Sequence, residues 1–242
     1  MVERQDARGD AEAGSGVAAV DRALAIVAVV ASEPEPRTLA QLAAATGLYK
    51  STILRLLGSL EGARYVVRLR DGRYALGATT FQLGLAYERA NPLRQHVLPV
   101  MRDLVAAGSE SASFHVRQGP ATRLCLFRQD SNHSTLDRVA AGDVLPLDEG
   151  AAGRILLAFD GAPGEAFDEL RAQAFAVTIG ERDANCGAMA APVFGPDGGV
   201  RGALSLSGPR ERFTPELIAA YRPTLSQAAA DITRSLGGRA PT

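Results

Sequence analysis

Lysine is almost missing from this 242-residue chain: Lys50 stands alone among 25 arginines. Cysteine is scarce too, with Cys125 and Cys186 far apart and in no metal-ligand spacing. A disulfide framework is thereby excluded, and a reducing, cytoplasmic setting is expected. Long apolar runs are absent. The longest, from Val17 to Ala31, is broken by Asp21 and Arg22 and is too short to span a bilayer, and no basic leader with a cleavage site marks a signal peptide. Nor is there an excess of either charge, since the formal net charge is −1. The balance of 46% hydrophobic and 22% charged residues excludes a collagen-like, mucin-like or wholly disordered chain. Residues 1–16 are polar, rich in Gly and Ala and without hydrophobic period, as expected of a flexible tail.

What the chain does have is an uneven distribution of charge. From Arg37 to Leu76 there are seven basic residues against two acids, a net +5, so the remainder carries −6. A basic run of this kind is ordinarily a solvated face, but the local pattern of this one is specific. Val20 to Ala31 reads as a helix that is apolar around most of its circumference and so is buried in a core or between subunits. Prolines 34 and 36 end it. Thr38-Leu39-Ala40-Gln41 has the form of a capping box opening a short helix that stops at Gly47. A third helix begins near Lys50. Ile53, Leu56, Leu57 and Leu60 repeat at helical spacing and face inward, which leaves Lys50, Ser51, Leu54, Arg55 and Ser59 on the other side. Two short helices across a glycine turn describe a helix-turn-helix. The hairpin signal Arg70-Asp71-Gly72, between runs around Val67 and Ala75, supplies a basic wing.

These motifs resemble those of IclR-family transcriptional regulators. The resemblance rests on Val20-Asp21-Arg22-Ala23-Leu24, Leu39-Ala40-Gln41-Leu42-Ala43 and Lys50-Ser51-Thr52-Ile53-Leu54-Arg55-Leu56-Leu57. Downstream it continues through Leu145-Pro146-Leu147 with Ala152-Gly153-Arg154-Ile155-Leu156, then Ala190-Ala191-Pro192-Val193-Phe194, Ala203-Leu204-Ser205-Leu206-Ser207-Gly208-Pro209 and Arg212-Phe213-Thr214. It implies an α+β protein: an N-terminal winged helix-turn-helix over 17–77, a linker helix over 78–91 and a C-terminal GAF-like antiparallel-sheet effector domain over 92–242. It also implies a homodimer or homotetramer acting on double-stranded DNA with a palindromic operator, and a small-molecule effector. Tyr49 and Leu54 depart from residues common in the family at the recognition helix, which bears on the operator read.

Helix-turn-helix geometry assigns the DNA-facing roles. Lys50, Ser51, Thr52, Leu54 and Arg55 are placed to meet the major groove, with Leu54 restricted to apolar contact. Arg68, Arg70 and Arg73 on the wing are assigned to the backbone or minor groove. Thr79 to Ala90 reads as a helix carrying Phe81, Leu83, Leu85 and Tyr87, and Leu93 to Ala107 as another with Leu98, Met101, Leu104 and Val105 on one side.

From residue 110 the pattern changes to short strands and turns. Strands are expected over 113–117, 123–128, 135–139, 189–194 and 200–207, with helices over 150–159, 167–174 and 214–236. For the effector the resemblance implicates Ala151, Ala152, Thr178 (in a loop before Glu181), Cys186, Ala188, Ser205 and Ser207; His115 shares a strand face with Arg117 and is added for its charge. Serines two apart on a strand project to one face and offer hydroxyls to a carboxylate, and the N–H groups at a helix start favour an anion. An organic or aromatic acid is therefore the expected effector. The three histidines have no metal spacing and no Gly-x-Ser-x-Gly elbow occurs, so neither a cofactor nor a metal is expected. The alternative is a thiol-based GAF-fold enzyme acting on a small metabolite through Cys125 or Cys186.

Overall fold

Thr38 and Gln41 start the first helix pair. The Thr38 side chain accepts from the Gln41 N–H at 3.2 Å, and the Gln41 side chain accepts from the Thr38 N–H at 2.8 Å, a complete capping box. The helix they open, α2 (Leu39–Thr46), ends at Gly47 with φ +67°, a left-handed cap that glycine adopts without strain. The computed structural model describes residues 16–135 and 137–241, so the expected tail lies outside the described residues except for Gly16. Two compact units result, one ending at Ala90 and the other beginning at Asn91.

In the first unit α1 (Ala18–Ala31), α2 and α3 (Lys50–Gly62) pack around Ile26, Val30, Leu42, Ile53, Leu56, Leu57 and Leu60. The strands β1 (Val66–Arg68) and β2 (Tyr74–Leu76) pair antiparallel and add Val66 and Tyr74 to that core. The inward side of α3 is the one expected from its spacing. For α1 only Ile26 and Val30 are buried, while Val20 and Leu24 remain exposed. The next helix, α4 (Ala78–Ala90), buries none of its residues. Its first turn is held to the end of α3 by Thr79, whose hydroxyl donates to the Ala63 carbonyl at 2.8 Å.

The second unit is built on a six-stranded antiparallel sheet. Its strands are β3 (Ser111–Gln118), β4 (Thr122–Gln129), β5 (Val144–Pro146), β6 (Ala176–Ile179), β7 (Cys186–Phe194) and β8 (Val200–Pro209), in the order β5-β4-β3-β8-β7-β6. One face takes α5 (Leu93–Ala106) and α8 (Pro215–Ser235) over Phe114, Phe127, Met189, Leu204 and Leu206. The other takes α6 (Gly150–Phe159), whose Ala151, Ala152, Ile155 and Leu156 lie on Ala190 and Ala203, with α7 (Glu165–Gln173) beside it. Alternation along β3 and β8 therefore sends Phe114, Leu204 and Leu206 to the apolar layer and Ser113, His115, Ser205 and Ser207 to the α6 side.

The structure corrects three local readings. No strand forms at 135–139 among the described residues; pairing with β4 falls instead to Val144–Pro146. Thr178 sits not in a loop but in β6, where Ala-Val-Thr-Ile, with three β-branched residues, adds an edge strand to β7. On α5 the buried set is Val97, Met101, Leu104 and Val105, with Leu98 only partly buried: spacings of four, seven and eight keep Val97 on the covered side.

Candidate functional sites

Helix α3 begins at Tyr49, which is 85% exposed and makes no side-chain cap. Its first-turn N–H groups are thus left facing outward with the positive end of the helix dipole. Lys50, Ser51, Leu54 and Arg55 are exposed on this helix, away from Ile53, Leu56 and Leu57, while Thr52, one turn before Leu56, is partly buried at the edge of that exposed side. On the wing Arg68 and Arg70 are exposed. Arg68 lies over the Tyr74 ring, 6.0 Å from its centroid. Arg73 is differently employed: its Nε donates to Asp71 at 2.7 Å and its N–H to the same carboxylate at 3.0 Å. These bonds hold the Asp71 carboxyl below its usual range and lock the turn. Arg73 is thereby tied to the turn and Arg68 lies folded on the Tyr74 ring, while Arg70 is exposed within the turn.

In the second unit His115, Ala151, Ala152, Thr178, Cys186, Ala188, Ser205 and Ser207 all line one cavity of about 40 Å³ between the sheet and the start of α6. Strand register brings them together: Thr178 pairs with Ala188, Ala188 with Ser207, and Ala190 with Ser205. Ser205 spends its hydroxyl on the Met189 carbonyl at 2.9 Å. Ser207 donates to Asp137 Oδ2 at 2.8 Å and accepts from Arg128 Nη1 at 3.1 Å. At the helix start the Gly150 N–H donates to Glu181 at 3.1 Å, and Arg154 grips the same carboxylate. The chain's own acid thus occupies the place read from sequence as an anion site.

Five charged groups at this cavity escape sequence reasoning: Arg123, Asp137, Glu181, Arg182 and Asp183. Arg123 is buried and its Nη1 donates to the Pro146 and Glu149 carbonyls, tying the β4–β5 corner to α6. Gly153 permits that approach, because a Cβ there would collide with the Leu147 carbonyl and with Arg123. Two buried nitrogens on the lining residues make no hydrogen bond, Nδ1 of His115 and Nε of Arg123. His115 Nε2 lies 2.9 Å from the Ser113 hydroxyl. Burial, reinforced by Arg123, Arg128 and Arg182, pushes the imidazole pKa down to about 3, so His115 is neutral at physiological pH. It contributes a hydrogen-bonding edge here instead of the charge expected of it. Arg117, which the alternation put on the same face, turns away to the Gly119 and Pro120 carbonyls.

The thiols are not activated. Burial pushes Cys125 up to about 12 and also raises Cys186, the reverse of what a thiolate nucleophile needs. Among the described residues no group of three His, Cys, Asp or Glu could hold a metal, and no helix is long and apolar enough to cross a membrane.

Comparison with known proteins gives a consistent picture. Residues 19–70 match the IclR helix-turn-helix domain, and residues 164–234 match the bacterial transcriptional regulator IclR C-terminal domain. The glycerol operon regulatory protein of Streptomyces griseus is 28% identical over 91% of this chain and 97% of its own length. The transcriptional repressor IclR of Escherichia coli is 23% identical over 97% and 96%. A crystal structure of a putative IclR transcriptional regulator from Silicibacter superposes with a TM-score of 0.76 at 25% identity, over 92% of this chain and 98% of that one. An IclR homologue from Microbacterium hydrocarbonoxydans, complexed with 4-hydroxybenzoate, shares the fold with a TM-score of 0.75 at 21% identity, over 90% and 99%.

Proposed function

The chain belongs to the IclR family of transcriptional regulators and is not an enzyme; on that premise we propose that a small organic or aromatic acid controls its affinity for an operator. The observation that carries this reading is the convergence of eight residues from five elements on one polar cavity holding two unsatisfied buried nitrogens. Buried polar atoms are normally paired, and a ligand acceptor beside Arg123 Nε and His115 Nδ1 would pair them. The relative complexed with 4-hydroxybenzoate supports an aromatic acid as one candidate.

In this reading residues 17–77 read DNA, 78–91 form the linker helix and 92–242 sense the effector. Lys50, Ser51, Thr52, Leu54 and Arg55 meet the major groove, and Arg68 and Arg70 hold the phosphates or minor groove. Arg73 serves by fixing the wing's turn through Asp71 and takes a phosphate with its remaining guanidinium donors. The regulator is cytoplasmic and works as a homodimer, or as a tetramer of such pairs, on a palindromic operator. Support for pairing comes from Val20 and Leu24 on α1 and Phe81 and Leu83 on α4, all large apolar side chains left exposed in the single chain. Effector binding shifts the population of paired reading heads through α4, which requires a preference of about 1–3 kcal/mol for one state.

A thermal-shift screen of small carboxylates and aromatic acids, 4-hydroxybenzoate among them, tests the sensing half. A ligand of the native state raises the melting temperature in proportion to its saturation. No shift at saturating concentration of any acid would remove the reading.

A further inference from the structure

One side chain at the cavity is placed as a ligand would be. Asp137 belongs to the connection between β4 and β5 and not to the sheet, yet its side chain is 0% exposed and forms part of the cavity wall. Its Oδ1 takes the Arg128 Nη2, its Oδ2 takes the Ser207 hydroxyl at 2.8 Å, and Arg182 Nη2 lies 3.9 Å from Oδ2. Behind it Arg128 is itself buried, with Nη1 on Ser207 at 3.1 Å and Nε on Asp130 at 2.8 Å. We propose that Arg128 and Ser207, with Arg182, are a carboxylate-binding subsite of the effector cavity, and that Asp137 is its built-in occupant, which an incoming acid replaces one for one. The inference rests on the effector reading of this cavity.

Three observations lead there. First, the cavity as it stands measures about 40 Å³, room for a few waters at ~10–15 Å³ each and too little for an aromatic acid. Something that lines it must move before an acid of that size enters. Second, charge dictates what moves. The wall already carries the carboxylates of Asp137, Glu181 and Asp183 against only two guanidinium groups, those of Arg123 and Arg182. An acid added to these meets like charge, whereas an acid exchanged for Asp137 leaves the count unchanged. When Asp137 leaves, Arg128 keeps only the largely exposed Asp130 at Nε, so the buried place vacated beside Nη2 and Ser207 favours another anion. Third, the receiving groups stay in position without Asp137. Asp130, which is largely exposed, holds the Arg128 guanidinium through Nε, and Ser207 is fixed by pairing with both Ser111 and Ala188. Arg128 Nη2 and the Ser207 hydroxyl then offer an incoming carboxylate the two donors that Asp137 uses now. Asp137, followed by the exposed Arg138 on an irregular connection, has a short path to water.

The experiment compares wild type, Asp137→Ala and the double variant Asp137→Ala/Arg128→Met in the full chain, with acetate and benzoate as probes followed by calorimetry and thermal shift. Asp137→Ala is expected to bind acetate at least tenfold more tightly than wild type and to lose that gain in the double variant. An Asp137→Ala chain that melts cooperatively only in acetate counts as the same result. If it does not fold in either condition, Asp137→Asn is measured instead, with at least a threefold gain expected. Equal acetate affinity in wild type and variant, or a gain that survives the loss of Arg128, overturns the proposal. Duplex binding read in parallel separates the two levels. Acid binding that never alters DNA affinity defeats the effector reading alone, while acids that release DNA from wild type without the Asp137-dependent gain defeat this inference alone.

Discussion

The two units of this protein bury charge in opposite ways. In the first, the fully buried side chains are apolar, with only single atoms of Arg37 and Glu61 out of water, and Lys50, Arg55, Arg68 and Arg70 stand on exposed surfaces of helix and wing. In the second, Arg123, Arg128, Asp137 and His115 lie inside, on the sheet face covered by α6. A reading surface needs charges that water currently solvates and DNA phosphates can take over. A sensing cavity needs polar groups whose water has been removed, so that a small ligand matters to their pairing. Charge changes in the first unit should therefore move affinity and leave stability alone. Charge changes in the second should move stability first.

The largest effect expected on this contrast is Arg128→Ala. It leaves Asp137 buried without its main partner and should cost the second unit about 3–5 kcal/mol in a denaturant melt. A loss below 1 kcal/mol would mean that the buried pair is solvated and the contrast is false. In the first unit, Lys50→Ala or Arg55→Ala should weaken duplex binding by roughly 1–3 kcal/mol if the side chain meets a base edge. The melting temperature should hold, since surface changes stay within about 0.5 kcal/mol. With about four phosphate contacts per subunit, a dimer should give a log K against log salt slope near −7, lowered by about one for each lost contact.

Acid sharpens the comparison further. The unfolded His115 imidazole takes up its proton near pH 6.5 and the folded one near 3. Between those values the unfolded state binds more protons, so stability present above pH 6.5 is lost as pH falls. The loss amounts to about 2 kcal/mol by pH 5. His115→Asn should flatten that slope in melts at pH 7 and pH 5, and an unchanged slope would place the imidazole in contact with water. Smaller again, Thr38→Ala removes the α2 capping box and should destabilise the first unit by about 1 kcal/mol.

The same contrast explains what could be read from sequence. Thr38, Gly47 and the spacing of Ile53, Leu56 and Leu57 act within one or two helical turns, so the helix-turn-helix is written locally. The Arg70-Asp71-Gly72 turn is likewise contiguous. The cavity is only half legible. Period-two alternation puts Ser205 and Ser207 on one face, and resemblance brings Ala151, Thr178 and Cys186 to the same place. The groups that take the hydroxyl of Ser207 come from 70 and 79 residues away, and no local pattern announces Asp137 or Arg128. Arg128 joins the cavity face because β4 pairs it with Ser113, a matter of register across a bulge at Phe114. Edge strand β6 was hidden for a related reason: four residues are too few to show a period.

One measurement bears most directly on the central claim that a cavity in the second unit governs a reading surface in the first. A duplex selected by the protein from a random-sequence pool is titrated by fluorescence anisotropy, with and without a saturating acid from the thermal-shift screen. The account predicts a change in dissociation constant of at least about fivefold, the lower end of a typical coupling free energy. An acid that saturates the cavity and leaves the dissociation constant unchanged would contradict it.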